Sequence, residues 1–398
     1  MSTYQLLMPG RVLYGKDSFT EVGNVARSFG SKVLIVSDPI MEKIGNVARC
    51  EQLIHEAGLS SAKYTGVDTE PTDIHVQEAL DVCRQEACDV IVAVGGGSCL
   101  DTAKAVAVLM TNGGHIRDYA SNQKLFAEKA LPLIAVPTTA GTGSEVTKVT
   151  VIIDTVYDVK MMLPQPELLP AAAIVDPVLT LSCPPSVTAA TGVDALCHAI
   201  EAYISRRAQP VTDMFALQAI ELLIGNLRKV YTDGNDLEAR ENMALGSMLA
   251  GVAFSNASVT LVHGMSRPIG AMFHVPHGVS NAMLLPAVLE FTKESALVRL
   301  AVIGRLIKPE LQGQADADVA EAVIAEVKQL CQDLQIPNMK TWGIDKDRLE
   351  QVVEKMATDA LASGSPGNNP RVPTHEEIVA LYHVCYDYDF SLSNTVAL

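Results

Sequence analysis

The sequence predicts an α/β domain built on a mostly parallel sheet, followed by an all-helical domain, and three observations carry that prediction. Up to Pro177, short β-branched apolar runs alternate with helix-like segments, the rhythm of βαβ units. Past Cys183-Pro184-Pro185 the pattern becomes helical, with almost no strand signal. A chain of 398 residues also exceeds what one core usually serves, so two domains are expected, 1–183 and 184–398.

Residues 4–15 alternate loosely and break at Pro9-Gly10, which predicts a hairpin or a pair of short strands. The run from Lys32 to Asp38 reads as a buried parallel strand ending in an acid. A helix over 41–57 and a strand over Ala62 to Val67 follow. The strand from Asp89 to Val94 runs straight into Gly95-Gly96-Gly97-Ser98 and then a helical stretch from Asp101. Three successive residues without Cβ let a phosphate approach the backbone, where the N–H groups of a helix start can bind it. The turn lacks the G-x-G-x-x-G spacing, and three glycines also serve as plain punctuation. Leu131 to Pro137 is a further strand, closed by a loop whose Thr138, Thr139, Thr142 and Ser144 hydroxyls suit phosphate or ribose oxygens. Both loops sit at carboxyl ends of strands, where open α/β sheets bind ligands. Ala172 to Pro177 is the last strand, and long helices are predicted near 187–206, 212–229, 236–254, 258–271, 316–334, 347–361 and 375–386.

The helix after the boundary carries the most informative spacing. Asp194 and His198 stand at i and i+4, so both side chains share one helical face. His263 and His277 follow, and three imidazoles with one carboxylate suit Zn²⁺ or Fe²⁺ with room for a substrate. An isolated Asp-x-x-x-His pair is more often a hydrogen-bonded surface pair; the glycine apparatus upstream supplies a reason for a metal.

Charge and cysteine usage narrow the function. The net charge is −16 with no basic run, which argues against nucleic acid and anionic membrane and leaves small molecules as partners. Hydrophobic residues at 48% against 19% charged describe a compact globular chain. Eight cysteines without a C-x-x-C pair, and no secretory segment before Tyr4, predict buried thiols in a reduced cytoplasm. Cys197 points about 100° round the helix from His198 and is expected to pack. No apolar run reaches the roughly 18 residues of a membrane helix.

Taken together, Gly95-Gly96-Gly97-Ser98 with Asp101, Pro137-Thr138-Thr139-Ala140-Gly141-Thr142-Gly143-Ser144-Glu145, Gly192-Val193-Asp194-x-x-x-His198-x-x-Glu201, His263-Gly264, Pro276-His277-Gly278 and Asn369-Pro370-Arg371 resemble the iron-containing, or group III, alcohol dehydrogenase family, over essentially the whole chain. The resemblance implies the dehydroquinate synthase-like architecture of that family, with a nucleotide-binding N-terminal domain, a metal-binding helical domain and an active site in the cleft between them. It implies Asp194, His198, His263 and His277 as ligands of a divalent metal, iron first, with zinc or manganese as alternatives. It implies NAD as cofactor, with Gly95, Gly96, Gly97 and Ser98 at the pyrophosphate, Thr138, Thr139 and Thr142 on the adenine and ribose side, and Lys160 at the nicotinamide ribose. Asp38, Asp101, Ser144, Val151 and Leu179 complete the implied cofactor set, and a homodimer or larger assembly is implied as well. At Asp38 chemistry agrees: a carboxylate accepts from ribose hydroxyls and repels a 2′-phosphate, so NAD is preferred over NADP.

The expected reaction is reversible hydride transfer between nicotinamide and a short-chain alcohol or aldehyde, with the metal acting on the oxygen. Two positions depart from the family. Arg267 stands where many members have His, so His274 or water must relay protons here. Arg267 itself is expected either to clamp an anionic group, as in sulfoacetaldehyde, or to make a salt bridge to a carboxylate such as Glu201. Glu70 stands where Asn is common. Neutral substrates of the ethanol, butanol or propanediol type are the alternative. A non-redox dehydroquinate synthase-type enzyme, a metal-free maleylacetate reductase-like enzyme and a non-enzymatic scaffold are the rivals.

Overall fold

The computed structural model describes residues 3–122 and 124–391, so the last seven positions of the expected helical domain lie outside the described residues. The chain divides into two compact units, one of Leu6–Cys183 and one of Pro184–Leu398 with Met1–Gln5.

The first unit contains β1 (Arg11–Tyr14), α1 (Val22–Arg27), β2 (Lys32–Val36), α2 (Pro39–Lys43), α3 (Asn46–Glu56), β3 (Ser60–Tyr64), α4 (Asp73–Gln85), β4 (Val90–Gly95), α5 (Gly97–Asn112), β5 (Leu133–Pro137), β6 (Val149–Asp154), β7 (Val159–Pro164) and β8 (Ala172–Val175). Six strands form one parallel sheet in the order β1-β8-β5-β4-β2-β3. Alternate residues face opposite ways along a strand. Val33, Ile35, Val92 and Ile134 therefore pack with Val22, Val47 and Ile54 of α1 and α3. Leu34, Ile91, Ala93 and Ala135 face the other way, against Val76, Leu80, Leu100 and Ala103 of α4 and α5. Burial on both faces is why these strands read as continuous apolar runs. The chain reverses direction across the sheet between β2 and β4, which are neighbours, so the loops that follow them lie side by side.

Several expectations change here. Residues 4–15 form no hairpin: β1 alone is a strand, parallel to β8 at the sheet edge. The helix expected over 41–57 is two helices, because Gly45 at φ +90° turns the chain between α2 and α3. β3 begins two residues before the predicted start at Ala62. The antiparallel pair β6–β7 was not anticipated. Its turn has no Asn-Gly or Asp-Gly signal; Asp154 instead accepts from the N–H groups of Val156 (2.9 Å) and Tyr157 (3.2 Å), and Asp158 takes φ +52°.

The second unit is helical throughout its described residues: α6 (Pro185–Ile204), α7 (Pro210–Thr232), α8 (Leu237–Ala257), α9 (Leu261–Phe273), α10 (His277–Ile307), α11 (Asp316–Asp333), α12 (Met339–Trp342), α13 (Lys346–Ala362) and α14 (His375–Tyr386). Proline at the first position starts α6, and Asp236, Asp345 and Thr374 cap α8, α13 and α14 with their side chains. Every residue of α6 from Gly192 to Ile204 is buried, which makes it the central helix of its unit. The 31-residue α10 escaped prediction because Pro286 lies inside it. Among the described residues, no single helix is long and apolar enough to cross a membrane.

Candidate functional site

In the helical unit, α6, α9 and α10 bring four side chains together. One donor atom from each of Asp194, His198, His263 and His277 lies within 4.8 Å of all the others. The i, i+4 spacing on α6 places the first two, His263 stands in the first turn of α9, and His277 opens α10. Between the last two, His274 adopts a left-handed conformation (φ +53°), which ends α9 and lets Val275-Pro276 turn the chain into α10. Close approach of α10 to α6 requires Gly278, since a Cβ there would stand 2.7 Å from the Ala190 carbonyl oxygen.

The surroundings hold each ring in a defined state. Glu201, one turn beyond His198, accepts from Thr260 Oγ1 and the Val262 N–H at 2.7 Å each, and its other oxygen lies 2.5 Å from His263 Nδ1. A carboxylate only accepts, so Nδ1 of His263 carries a proton, and Nε2 lies 3.5 Å from Asp194 Oδ1. His198 stacks on Phe254 with ring centroids 4.2 Å apart. Burial alone would raise the Asp194 carboxyl, but the imidazoles of His198, His277 and His263 outweigh it and hold the group well below the usual carboxylate range. Burial lowers His263, and the Glu201 and Asp194 charges reverse this, raising it to about 9. The donor set therefore fits a divalent cation: nitrogen and oxygen atoms only, buried, and backed by an outer carboxylate of the kind that orients metal-bound histidines. Cys197 also lies near His263, with 3.9 Å between Sγ and Nδ1, but burial raises its thiol far above neutrality, consistent with packing.

The two residues expected to act in catalysis lie on α9 and at its C-terminal end. His274 is exposed at the end of α9. Arg267 shows partial surface exposure, yet its guanidinium is packed deeply enough that burial lowers it to about 10, against the opposing pull of Glu201. It donates to Ser365 Oγ at 3.1 Å, and no carboxylate among the described residues pairs with it. The expected salt bridge to Glu201 does not form, because Thr260, Val262 and His263 take both oxygens of that carboxylate. Sequence reasoning missed Asn281, buried one turn after His277 on the unpredicted α10; its amide nitrogen contacts Asp194 Oδ1 at 2.6 Å.

In the parallel-sheet unit, the glycine turn and the threonine loop pack on one another. The Thr138 N–H donates to the Gly95 carbonyl at 3.0 Å, and a Cβ on Gly97 would stand 2.7 Å from Thr142 Cγ2. Gly95 is needed for a neighbour rather than only for a ligand, since a Cβ there would meet Cys99 Sγ at 2.5 Å. Gly96 and Ser98 stand at the start of α5. Asp38 uses Oδ1 to cap α2 through Ile40 and Met41, and its Oδ2 lies 3.4 Å from Cys99 Sγ. Asp101 is an internal brace: its oxygens accept from Ser144 Oγ (2.6 Å) and the Val151 N–H (2.8 Å). Lys160 pairs with Glu70 at 2.6 Å, which accounts for the departure at that position. Leu179 is buried in the core on the α1 and α3 side, in one cluster with Val94 and Val136 at the ends of β4 and β5.

Comparison with known proteins now has a geometry to explain. Residues 9–177 match the family described as iron-containing alcohol dehydrogenase, and residues 188–386 match the Fe-containing alcohol dehydrogenase family, C-terminal. The 1,3-propanediol dehydrogenase of Klebsiella pneumoniae is 38% identical over 387 residues, covering 96% of this chain and 99% of that protein. The crystal structure of a 1,3-propanediol oxidoreductase superposes with a TM-score of 0.93 at 38% identity, covering 97% of this chain and 100% of the other. The sulfoacetaldehyde reductase of Bifidobacterium kashiwanohense in complex with NAD⁺ gives 0.87 at 28% identity, covering 98% and 100%. The chain belongs to the iron-containing alcohol dehydrogenase family, and is an oxidoreductase of the alcohol dehydrogenase and aldehyde reductase class.

Two predictions follow from the packing. Gly278→Ala forces α10 away from α6 and moves His277 from Asp194, so zinc affinity, measured by chelator competition, falls about tenfold or more. Glu145, at the end of the threonine loop, is buried, and burial raises its carboxyl to about 7 despite the nearby Lys104. A carboxyl raised in the fold contributes fully below the unfolded value near 4.5, and that contribution is lost as pH rises to about 7. Glu145→Gln should therefore exceed wild type in stability at pH 8 by on the order of 2 kcal/mol, read from urea unfolding, with the advantage gone at pH 4.5.

Proposed function

We propose that the chain is an NAD-dependent, divalent-metal-dependent aldehyde reductase and alcohol dehydrogenase acting on a short substrate with an anionic group, of the sulfoacetaldehyde type. The observation that carries the metal-dependent reaction is the buried cluster of Asp194, His198, His263 and His277, which would hold the metal. A divalent cation bound there supplies Lewis acidity, acidifying an alcohol hydroxyl or polarising an aldehyde carbonyl. The remaining work belongs to the protein. Glu201 keeps His263 Nδ1 protonated, and α6 keeps Asp194 ionised among the rings. His274, exposed to solvent, is suited to exchange the proton that alcohol oxidation releases.

Gly96, Gly97 and Ser98 at the start of α5 are suited to a pyrophosphate, with Thr138, Thr139 and Thr142 beside them, and Lys160, held by Glu70, would serve the nicotinamide side. The complex of the sulfoacetaldehyde reductase neighbour with NAD⁺ supports that cofactor. Asp38→Gly should shift the NADP-to-NAD ratio of kcat/KM upward by at least about tenfold, because glycine keeps most of the cap while removing the charge that repels a 2′-phosphate. An unchanged ratio would remove Asp38 from the cofactor site.

Arg267 supports the anionic substrate. A deeply packed cation without a carboxylate partner among the described residues is suited to receive a sulfonate, carboxylate or phosphonate. The neutral-diol reading rests on the 38% identity to 1,3-propanediol dehydrogenase, and one comparison separates the two. Arg267→Ala should lower kcat/KM for sulfoacetaldehyde about 10- to 100-fold more than for propionaldehyde, the size of a lost charge-assisted hydrogen bond. Equal losses on both substrates favour the neutral reading. Association as a homodimer or larger assembly is suggested by the sheet edge at β1, where Tyr14 is exposed.

A further inference from the structure

Residues 138–148 join β5 of the parallel sheet to β6 of the antiparallel pair and lie outside both. The near end of this segment is fixed, because the Thr138 N–H donates to the Gly95 carbonyl in the glycine turn. Its far end is fixed by a side chain of α5. Lys104, two turns into that helix and 1% exposed, donates from Nζ to Thr147 Oγ1 at 2.9 Å and to the Val149 carbonyl at 2.8 Å. Thr147 Oγ1 in turn reaches the Ser144 carbonyl at 3.5 Å, and Ser144 Oγ donates to Asp101 Oδ1 at 2.6 Å. Asp101 and Lys104 stand at i and i+3 on one face of α5, so the path closes on the helix where it began. That helix also carries the glycine turn at its start, where a Cβ on Gly96 would stand 3.8 Å from Thr139 Oγ1 and one on Gly97 3.1 Å from Thr142 Oγ1. One rigid element therefore sets both the turn and the loop beside it. Packing alone does not account for a lysine here: burial lowers the ammonium to about 8 against the pull of Asp101 and Glu145, and a methionine of equal length would fill the same space.

We propose that Lys104 is a positioning residue for the dinucleotide: its two hydrogen bonds hold the threonine loop against α5, so that the Thr139 and Thr142 hydroxyls stay beside the backbone of Gly96 and Gly97. This inference rests on the reading of these two loops as the dinucleotide site. Lys104 is buried beneath them and acts through Thr147 and Val149 rather than on the cofactor. Removing its donors frees the far end of the loop and leaves the glycine turn in place. The loss then falls on dinucleotide affinity and spares the cluster that α6, α9 and α10 build in the helical unit.

The test measures NADH affinity by fluorescence titration and zinc affinity by chelator competition, both at pH 7, for wild type, Lys104→Met, Thr147→Val and Thr147→Ser. Lys104→Met keeps the length of the side chain and loses every donor, so the NADH Kd should rise about tenfold or more. Thr147→Val is isosteric and removes one acceptor without touching the buried charge, so the Kd should rise about threefold or more. Thr147→Ser keeps the hydroxyl and should stay within about twofold of wild type. Zinc Kd should be unchanged in every variant. An NADH Kd within about twofold of wild type in both Lys104→Met and Thr147→Val overturns the proposal. A parallel loss of zinc affinity, the mark of general loosening, overturns it as well. Should Lys104→Met fail to fold, the contrast between Thr147→Val and Thr147→Ser decides. If the wild-type protein does not bind NADH at all, the cofactor reading itself fails, and the positioning role fails with it.

Discussion

Four groups that offer electron pairs cannot share a dry interior without something positive among them, and the helical unit is arranged around that constraint. Asp194 is ionised and buried, and the rings of His198, His263 and His277 converge on it. Isolated burial of a carboxylate is strongly unfavourable. The fold answers with charge and with protons: Glu201 fixes the His263 tautomer from behind, Phe254 fixes the plane of His198, and Asn281 supplies hydrogens from α10. The arrangement of one carboxylate and three imidazoles around one point is complementary to a divalent cation.

The parallel-sheet unit solves a different problem. Its sheet is covered on both faces, so the loops at the strand ends are where the backbone can meet a ligand. The loops after β2, β4 and β5 carry Asp38, the glycine turn and the threonine loop. They are tied to each other by Thr138 on Gly95 and braced beneath by Asp101 on Ser144 and Val151. The buried Lys104, which donates to Thr147 Oγ1 and the Val149 carbonyl, extends that brace to β6. Interlocked loops of this kind leave less ordering to any binding step at their surface.

Much of this was legible in the residues. Period-two and period-3.6 patterning locates most strands and helices, and the Asp194/His198 spacing follows from helix geometry alone. What escaped has physical reasons. β6 and β7 carry no glycine turn signal, since the turn is built on the Asp154 side chain. α10 was hidden by Pro286, which a long buried helix absorbs through its tertiary contacts, and with it went Asn281. The pairing of Lys160 with Glu70 joins positions 90 residues apart and is invisible to local pattern. Leu179 packs in the core with Val94 and Val136, and Asp101 braces Ser144 and Val151. For Arg267, sequence left two partners open, and the occupied oxygens of Glu201 leave no place for one of them.

The central claim is that Asp194, His198, His263 and His277 jointly hold one divalent cation. Crystals grown with Zn²⁺ and measured on both sides of the zinc absorption edge test it most directly. The account predicts one strong anomalous peak per chain, about 2.0–2.2 Å from a nitrogen or oxygen of each of the four side chains. Absence of a peak there, or a peak held by other residues while these four remain hydrogen-bonded among themselves, would contradict it.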